Sequence, residues 1–179
     1  MLFSPTDVAG AFLIRPERLG DERGFFARTY CVNELAEHGI DPQVVQRSVS
    51  YNKVRGTLRG MHYQVAPHEE SKLVSCLRGS VYDVVVDLRP RSVSYRRWTA
   101  ATLTGDGFET LFVPKGCAHG FVTLTDEALV HYEISDFYHP ESARGVRYDD
   151  PAFAIAWPLA PIVINQRDRS YPLYRSPAV

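Results

Sequence analysis

The run SVYDVVVDL at residues 80–88 constrains the architecture of this chain more than any other segment. Tyr82, Val84, Val86 and Leu88 fall on one face, and Asp83 and Asp87 share the other with Val81 and Val85. A side-chain period of two is what an extended strand imposes. Gly79 before the run and Pro90 after it punctuate both ends. Further strands are expected at 11–15, 25–30, 43–51, 57–64, 72–77, 98–103, 110–113, 120–124 and 128–138, separated by Gly, Pro, Asn and Asp. One short helix is expected at 34–38, with Asn33 as N-cap and Gly39 as the left-handed terminator. Many short strands with regular turn signals predict an all-β sandwich or barrel.

The length of 179 residues suits one domain, 1–179, in which the Pro- and Arg-rich tail 158–179 wraps the barrel or caps a pocket mouth. No internal repeat or linker interrupts it. Net charge is −1, so no global field recruits nucleic acid or an anionic membrane, and an anionic ligand needs a local cluster of Arg and Lys. Cys31, Cys76 and Cys117 are odd in number and widely spaced, which fits a reducing compartment better than a disulfide framework. The first residues, MLFSPTDVAG, lack a basic leader, and no apolar run approaches the roughly 20 residues a spanning helix needs. The expectation is a cytoplasmic protein.

Four segments carry residue types suited to chemistry. In TLRGMHYQ (57–64), Arg59 and His62 face opposite sides of a strand unless Gly60 introduces a bulge, which strand-interior glycines often mark. With the bulge, Arg59 can reach a phosphate while His62 sits inside; without it, they are a surface arginine and a structural histidine. In VPKGCAHGFVTL (113–124), Pro114 and Gly116 deliver His119 to the start of a strand, where a hydrogen-bonded core histidine is the plain alternative to a catalyst. Alternation in ALVHYEISDFYHP (128–140) groups Tyr132, Ile134, Asp136 and Tyr138 on one face, as cross-strand packing or as phenols lining a pocket. In NQRDRS (165–170), Asp168 between Arg167 and Arg169 reads locally as a solvated charge cluster. Two histidines also invite a metal, but Gln64 removes any HxH pair and no glutamate follows at close spacing on the neighbouring strand, so no metal is expected.

Taken in order, GDERGFF (20–26), LRGMHYQ (58–64), KLVSCLRGSVYDVVVDLR (72–89), PKGCAHGFVTL (114–124) and FYHPESARGVRYDDP (137–151) resemble the dTDP-4-dehydrorhamnose 3,5-epimerase family of cupins. The resemblance runs from about residue 3 to residue 170. It implies a cupin-type jelly roll with one or a few short helices. It also implies a homodimer with exchanged N-terminal strands, and an isomerase that needs no metal or other cofactor. The implied reaction inverts carbon 3, carbon 5 or both in a nucleoside-diphosphate-linked 4-keto-6-deoxyhexose, within deoxysugar biosynthesis. On that resemblance His62 is the base, Asp168 its carboxylate partner and Tyr132 the proton donor. Lys72 and His119 line the sugar pocket, Arg23 and Arg59 hold nucleotide or phosphate, and Phe26, Gln46, Tyr138 and Arg167 complete the substrate-binding set.

The residue types suit the chemistry. A hydrogen beside a ketone is acidic because the carbanion delocalises into an enolate, and an imidazole is a base of suitable strength. A carboxylate behind it fixes the tautomer and stabilises the imidazolium. The chain departs from the family pattern at Arg28, where a Glu is usual, and at Arg47 and Ser48, where Gln46 alone remains of a QDN run. It departs again at Ala143 in place of Glu and at Arg167 in place of Lys. These changes suggest an altered carrier preference, such as CDP or GDP. The competing functions are a 3-epimerase on such a carrier, a 3,4-ketoisomerase, and a non-catalytic cupin that only binds a nucleotide sugar.

Overall fold

The computed structural model describes residues 1–41 and 43–175. In chain order the strands are β1 (Leu2–Pro5), β2 (Phe12–Arg15), β3 (Arg18–Asp21), β4 (Gly24–Ala27), β5 (Gln46–Asn52), β6 (Thr57–Gln64) and β7 (Lys72–Arg78). They continue with β8 (Ser80–Asp87), β9 (Trp98–Thr104), β10 (Thr110–Val113), β11 (Cys117–Thr123), β12 (Ala128–Ile134), β13 (Ala143–Gly145) and β14 (Val163–Ile164). Helix α1 covers Val32–Glu37 and α2 covers Gln166–Ser170. Two antiparallel sheets make the jelly roll, one ordered β1-β2-β10-β7-β12-β5 and the other β13-β6-β11-β8-β9, with β14 added parallel to β6. β3 and β4 form a separate hairpin.

The expected period of two in 80–88 is realised by β8, and both its faces are covered. Val81 and Val85 pack between the sheets with Val74, Leu111, Phe121 and Val130. Val84, Val86 and Leu88 point the other way, against Met61, Val146 and Phe153, with Trp157 and Tyr174 beside them. Each fully buried valine contributes roughly 1.5–3 kcal/mol of apolar transfer. Asp87 closes the strand, accepting from Arg89 Nε and Ser94 Oγ at 2.8 and 2.6 Å. Burial pushes this carboxyl up, but the donors outweigh it and hold it at about 2.

Several boundaries differ from the sequence expectation for local reasons. The helix begins at Val32 with Cys31 as its cap, so Asn33 lies in the first turn and is not the N-cap. Leu35 sets that phase by burying itself with Ile14, Ile40, Leu73 and Phe112, while Gly39 takes φ 71° as expected. β12 stops at Ile134, short of 138, and Asp136 Oδ1 accepts the Phe137 N–H at 2.8 Å, turning the chain out of the sheet. The short strands β1, β3, β13 and β14 and helix α2 carry too few residues to display a period. Of the tail expected at 158–179, residues 176–179 lie outside the described residues. The rest returns along the second sheet: β14 pairs with β6, and Tyr174 Oη meets Tyr95 Oη at 3.0 Å. No helix among the described residues is long and apolar enough to cross a membrane.

Gly60 makes the expected bulge. β11 pairs His119 with His62 and Phe121 with Arg59, so β6 spends one residue more than its partner between those pairs. Gly60 has φ 137°, and a Cβ there would stand 2.6 Å from Gly120 Cα. Only two facing glycines allow this backbone approach. Gly60→Ala is therefore expected to cost about 2–4 kcal/mol, read as a lower urea midpoint, from a strained φ plus a backbone clash. An unchanged midpoint would contradict this account of the bulge.

Candidate active site

The extra residue at Gly60 turns Arg59 and His62 toward the same cavity, of about 330 Å³. Strand β6 supplies both, β7 begins with Lys72, β11 carries His119, and β12 contributes Tyr132 and Ile134. The histidine is fixed from behind. Its Nε2 donates to Asp168 Oδ1 at 2.7 Å, and Asp168 Oδ2 accepts the Gly60 N–H at 3.0 Å. Helix α2 exists to aim this carboxylate: Asn165 caps it by accepting the Asp168 N–H at 2.7 Å. Asp168 is 0% exposed, the opposite of the solvated cluster that NQRDRS suggests locally. Burial pushes its carboxyl up, yet the His62 hydrogen bond and charge and the Gly60 N–H prevail and hold it below the usual carboxylate range. With Nε2 committed, Nδ1 is left for a substrate, and the ring remains 40% exposed.

Tyr132 stands on the facing sheet. Burial pushes its phenol well above the usual tyrosine range, the Asp83 charge adding to this and Arg59 opposing it. The group therefore keeps its proton at neutral pH. The His119 ring meets Tyr132 edge-on at 6.0 Å, and its Nε2 contacts buried Asp83 Oδ1 at 2.7 Å. Lys72 Nζ pairs with Glu70 at 2.8 Å, and Glu70 in turn accepts from Gln64 Nε2 at 3.1 Å.

The cavity brings together His62, Tyr132, Lys72, His119, Arg59, Gln46, Tyr138 and Arg167 from the sequence expectation, with Asp168 directly behind. Arg23 and Phe26 are not there. They lie on the β3–β4 hairpin, where Arg23 pairs with Asp21 and its side chain is 85% exposed. Sequence reasoning did not single out Glu70, Asp83 or Arg144. Arg144 sits on the three-residue strand β13, and Glu70 is recognisable only through its spatial partner. Arg28 pairs with Glu34, and Arg47 with Glu133 at 2.9 Å, so neither departure from the family pattern lines the cavity. Ser48, Ala143 and Arg167 do. With Lys72 paired to Glu70, Arg59, Arg144 and Arg167 make the cavity a local cationic cluster in a chain of net charge −1.

A model of the dTDP-4-dehydrorhamnose 3,5-epimerase family matches residues 5–176. The chain belongs to this family. It is an isomerase of the epimerase class. A dTDP-4-dehydrorhamnose 3,5-epimerase from Methanothermobacter thermautotrophicus is 40% identical over 98% of this chain and 96% of that one. The crystal structure of the Bacillus anthracis epimerase, solved with TDP and PPi bound, superposes with TM-score 0.91 at 37% identity. That match covers 97% of this chain and 99% of that one. A dTDP-4-dehydrorhamnose 3-epimerase from Streptomyces niveus is 36% identical over 94% of this chain and 82% of its own length.

Ionised Asp168 stabilises the folded epimerase above the unfolded carboxylate value, and that contribution is lost as pH falls through the lower folded value. The stability gap between wild type and Asp168→Asn is expected to be widest near neutrality and to close below pH ~4. Urea unfolding at several pH values measures it. A gap that widens on acidification would contradict the assignment.

Proposed function

We propose that the epimerase inverts carbon 3 and carbon 5 of a dTDP-linked 4-keto-6-deoxyhexose. His62 acts as the base on one face of the sugar, and Tyr132 as the acid on the other. The observation that carries this reading is the pairing of a carboxylate-held histidine with a fully protonated tyrosine across one cationic cavity.

In this mechanism His62 Nδ1 takes the proton from the carbon beside the ketone, and the C–H electron pair moves into the carbonyl to form an enolate. Asp168 holds the Nε2–H tautomer and stabilises the imidazolium. Lys72 and His119 face the developing oxyanion. The Tyr132 O–H returns a proton to the opposite face, which inverts the carbon, and solvent restores both groups. The second carbon beside the ketone repeats the cycle. Arg59, Arg144 and Arg167 suit the diphosphate. The dTDP carrier is favoured over CDP or GDP because the Bacillus anthracis relative holds TDP.

We further propose a cytoplasmic homodimer in a single-domain chain whose tail closes the cavity rim. Tyr171 stands edge-on to the His62 ring at 5.9 Å, which supports the tail's part. The β3–β4 hairpin exposes Leu19, Phe25 and Phe26, and the outer edge of β5 is unpaired among the described residues and exposes Val49. Such apolar surface and a free edge suit a second copy. That arrangement would carry Arg23 and Phe26 to the partner's cavity.

Proton NMR of dTDP-4-keto-6-deoxyglucose turnover in deuterium oxide tests the reading. Deuterium is expected at both carbon 3 and carbon 5. His62→Asn should lower exchange at both by at least about 10²-fold while sparing dTDP affinity. Tyr132→Phe should keep exchange but block inversion. Exchange confined to carbon 3 would make it a 3-epimerase, carbonyl migration would make it a ketoisomerase, and neither would leave only a binder.

A further inference from the structure

Outside the cavity, His68, Asp136 and His139 bring one ligand atom each within 4.8 Å of one another. His68 lies in the turn that follows β6, and the other two in the segment that leaves β12. All three side chains are about 30% exposed, so an ion can enter from solvent: 31% for His68, 29% for Asp136 and 30% for His139. His68 Nδ1 stands 3.7 Å from Asp136 Oδ2, and the two imidazoles stack with centroids 3.4 Å apart. None of these contacts serves the proton-transfer chemistry.

The backbone beneath the cluster is already fixed. Buried Gln64 donates through Nε2 to the carbonyl oxygens of His68 and Phe137 at 2.9 and 3.0 Å, and its Oε1 accepts the His139 N–H at 2.7 Å. One side chain thus ties together the two segments that bear the cluster. The orientation of the donors is prepared as well. Asp136 Oδ1 is occupied by the Phe137 N–H, which turns Oδ2 to His68. His139 Nδ1 stands 3.2 Å from Glu141 Oε1, the carboxylate–histidine contact that orients a metal-binding imidazole from behind.

We propose that His68, Asp136 and His139 bind a divalent transition-metal ion, with zinc the best chemical match, at a site separate from the epimerase cavity. Two imidazoles and one carboxylate are donors for a borderline-soft ion, whereas calcium and magnesium take oxygen ligands. Bonds of about 2.0–2.1 Å to a tetrahedral zinc put ligands roughly 3.4 Å apart. To reach that spacing the two imidazoles, each about 30% exposed, would rotate out of their stack. Glu141 holds His139 Nδ1, so Nε2 of that ring meets the ion, and water takes the fourth position. The ion would clamp the turn after β6 to the segment around Tyr138, whose side chain lines the cavity. Its effect is to stiffen the rim of the active site while leaving the proton transfers to His62 and Tyr132.

The test uses the full-length, tag-free protein stripped with EDTA and titrated with zinc chloride or cobalt chloride. One ion per chain is expected with a dissociation constant below about 100 µM, together with a higher Tm in zinc and the intense visible bands of tetrahedral cobalt. His68→Ala and His139→Ala should each weaken binding at least about tenfold. His68→Gln and His139→Gln serve in their place should either alanine variant fail to fold. His62→Asn should bind the ion as wild type does. Absence of saturable binding, binding that survives the double His68/His139 replacement, or binding lost in His62→Asn would each overturn the proposal.

Discussion

The contact between His62 and Asp168 is the constraint on which the rest of the site depends. It joins residues 106 apart in sequence and needs three separate devices to form. The bulge at Gly60 turns His62 inward, β14 docks the returning chain on β6, and Asn165 starts the helix that aims the carboxylate. A buried carboxylate without partners would be costly, by about 1–3 kcal/mol or more for each lost hydrogen bond to a charged group. Here His62 and the Gly60 N–H satisfy both oxygens. The interaction that holds the tail to the barrel is therefore the same one that prepares the proposed base.

The two faces of the cavity differ in the way acid–base chemistry requires. On one side a carboxylate kept ionised stands behind an imidazole; on the other, burial and the Asp83 charge keep a phenol protonated. Environments that push neighbouring groups apart in this manner separate a base from an acid within one pocket. The arginines give the cavity an anion-binding character that the whole chain, at net charge −1, does not have.

Much of the fold was legible because long strands advertise their period. β8 could be read from SVYDVVVDL, and Gly60 betrayed its bulge, since a glycine inside a strand pattern is otherwise unfavourable. Asp168 was not legible locally: flanked by Arg167 and Arg169, it looks solvated, and only the returning chain buries it. The family resemblance supplied what local pattern could not. Arg144 and Glu70 escaped because their strand is too short, or their partner too close, to leave a pattern. Arg23 and Phe26 were legible as members of a motif, but the fold of the single chain leaves them on an exposed hairpin.

The proposed mechanism puts the sugar ring between a base on one face and an acid on the other. A crystal structure of His62→Asn with the dTDP-linked keto sugar bound measures it directly. The account predicts carbon 3 and carbon 5 within about 3–4 Å of the side chain at position 62 on one face, with the Tyr132 hydroxyl over the opposite face. A sugar seated with both side chains on the same face, or with neither near those carbons, would contradict it.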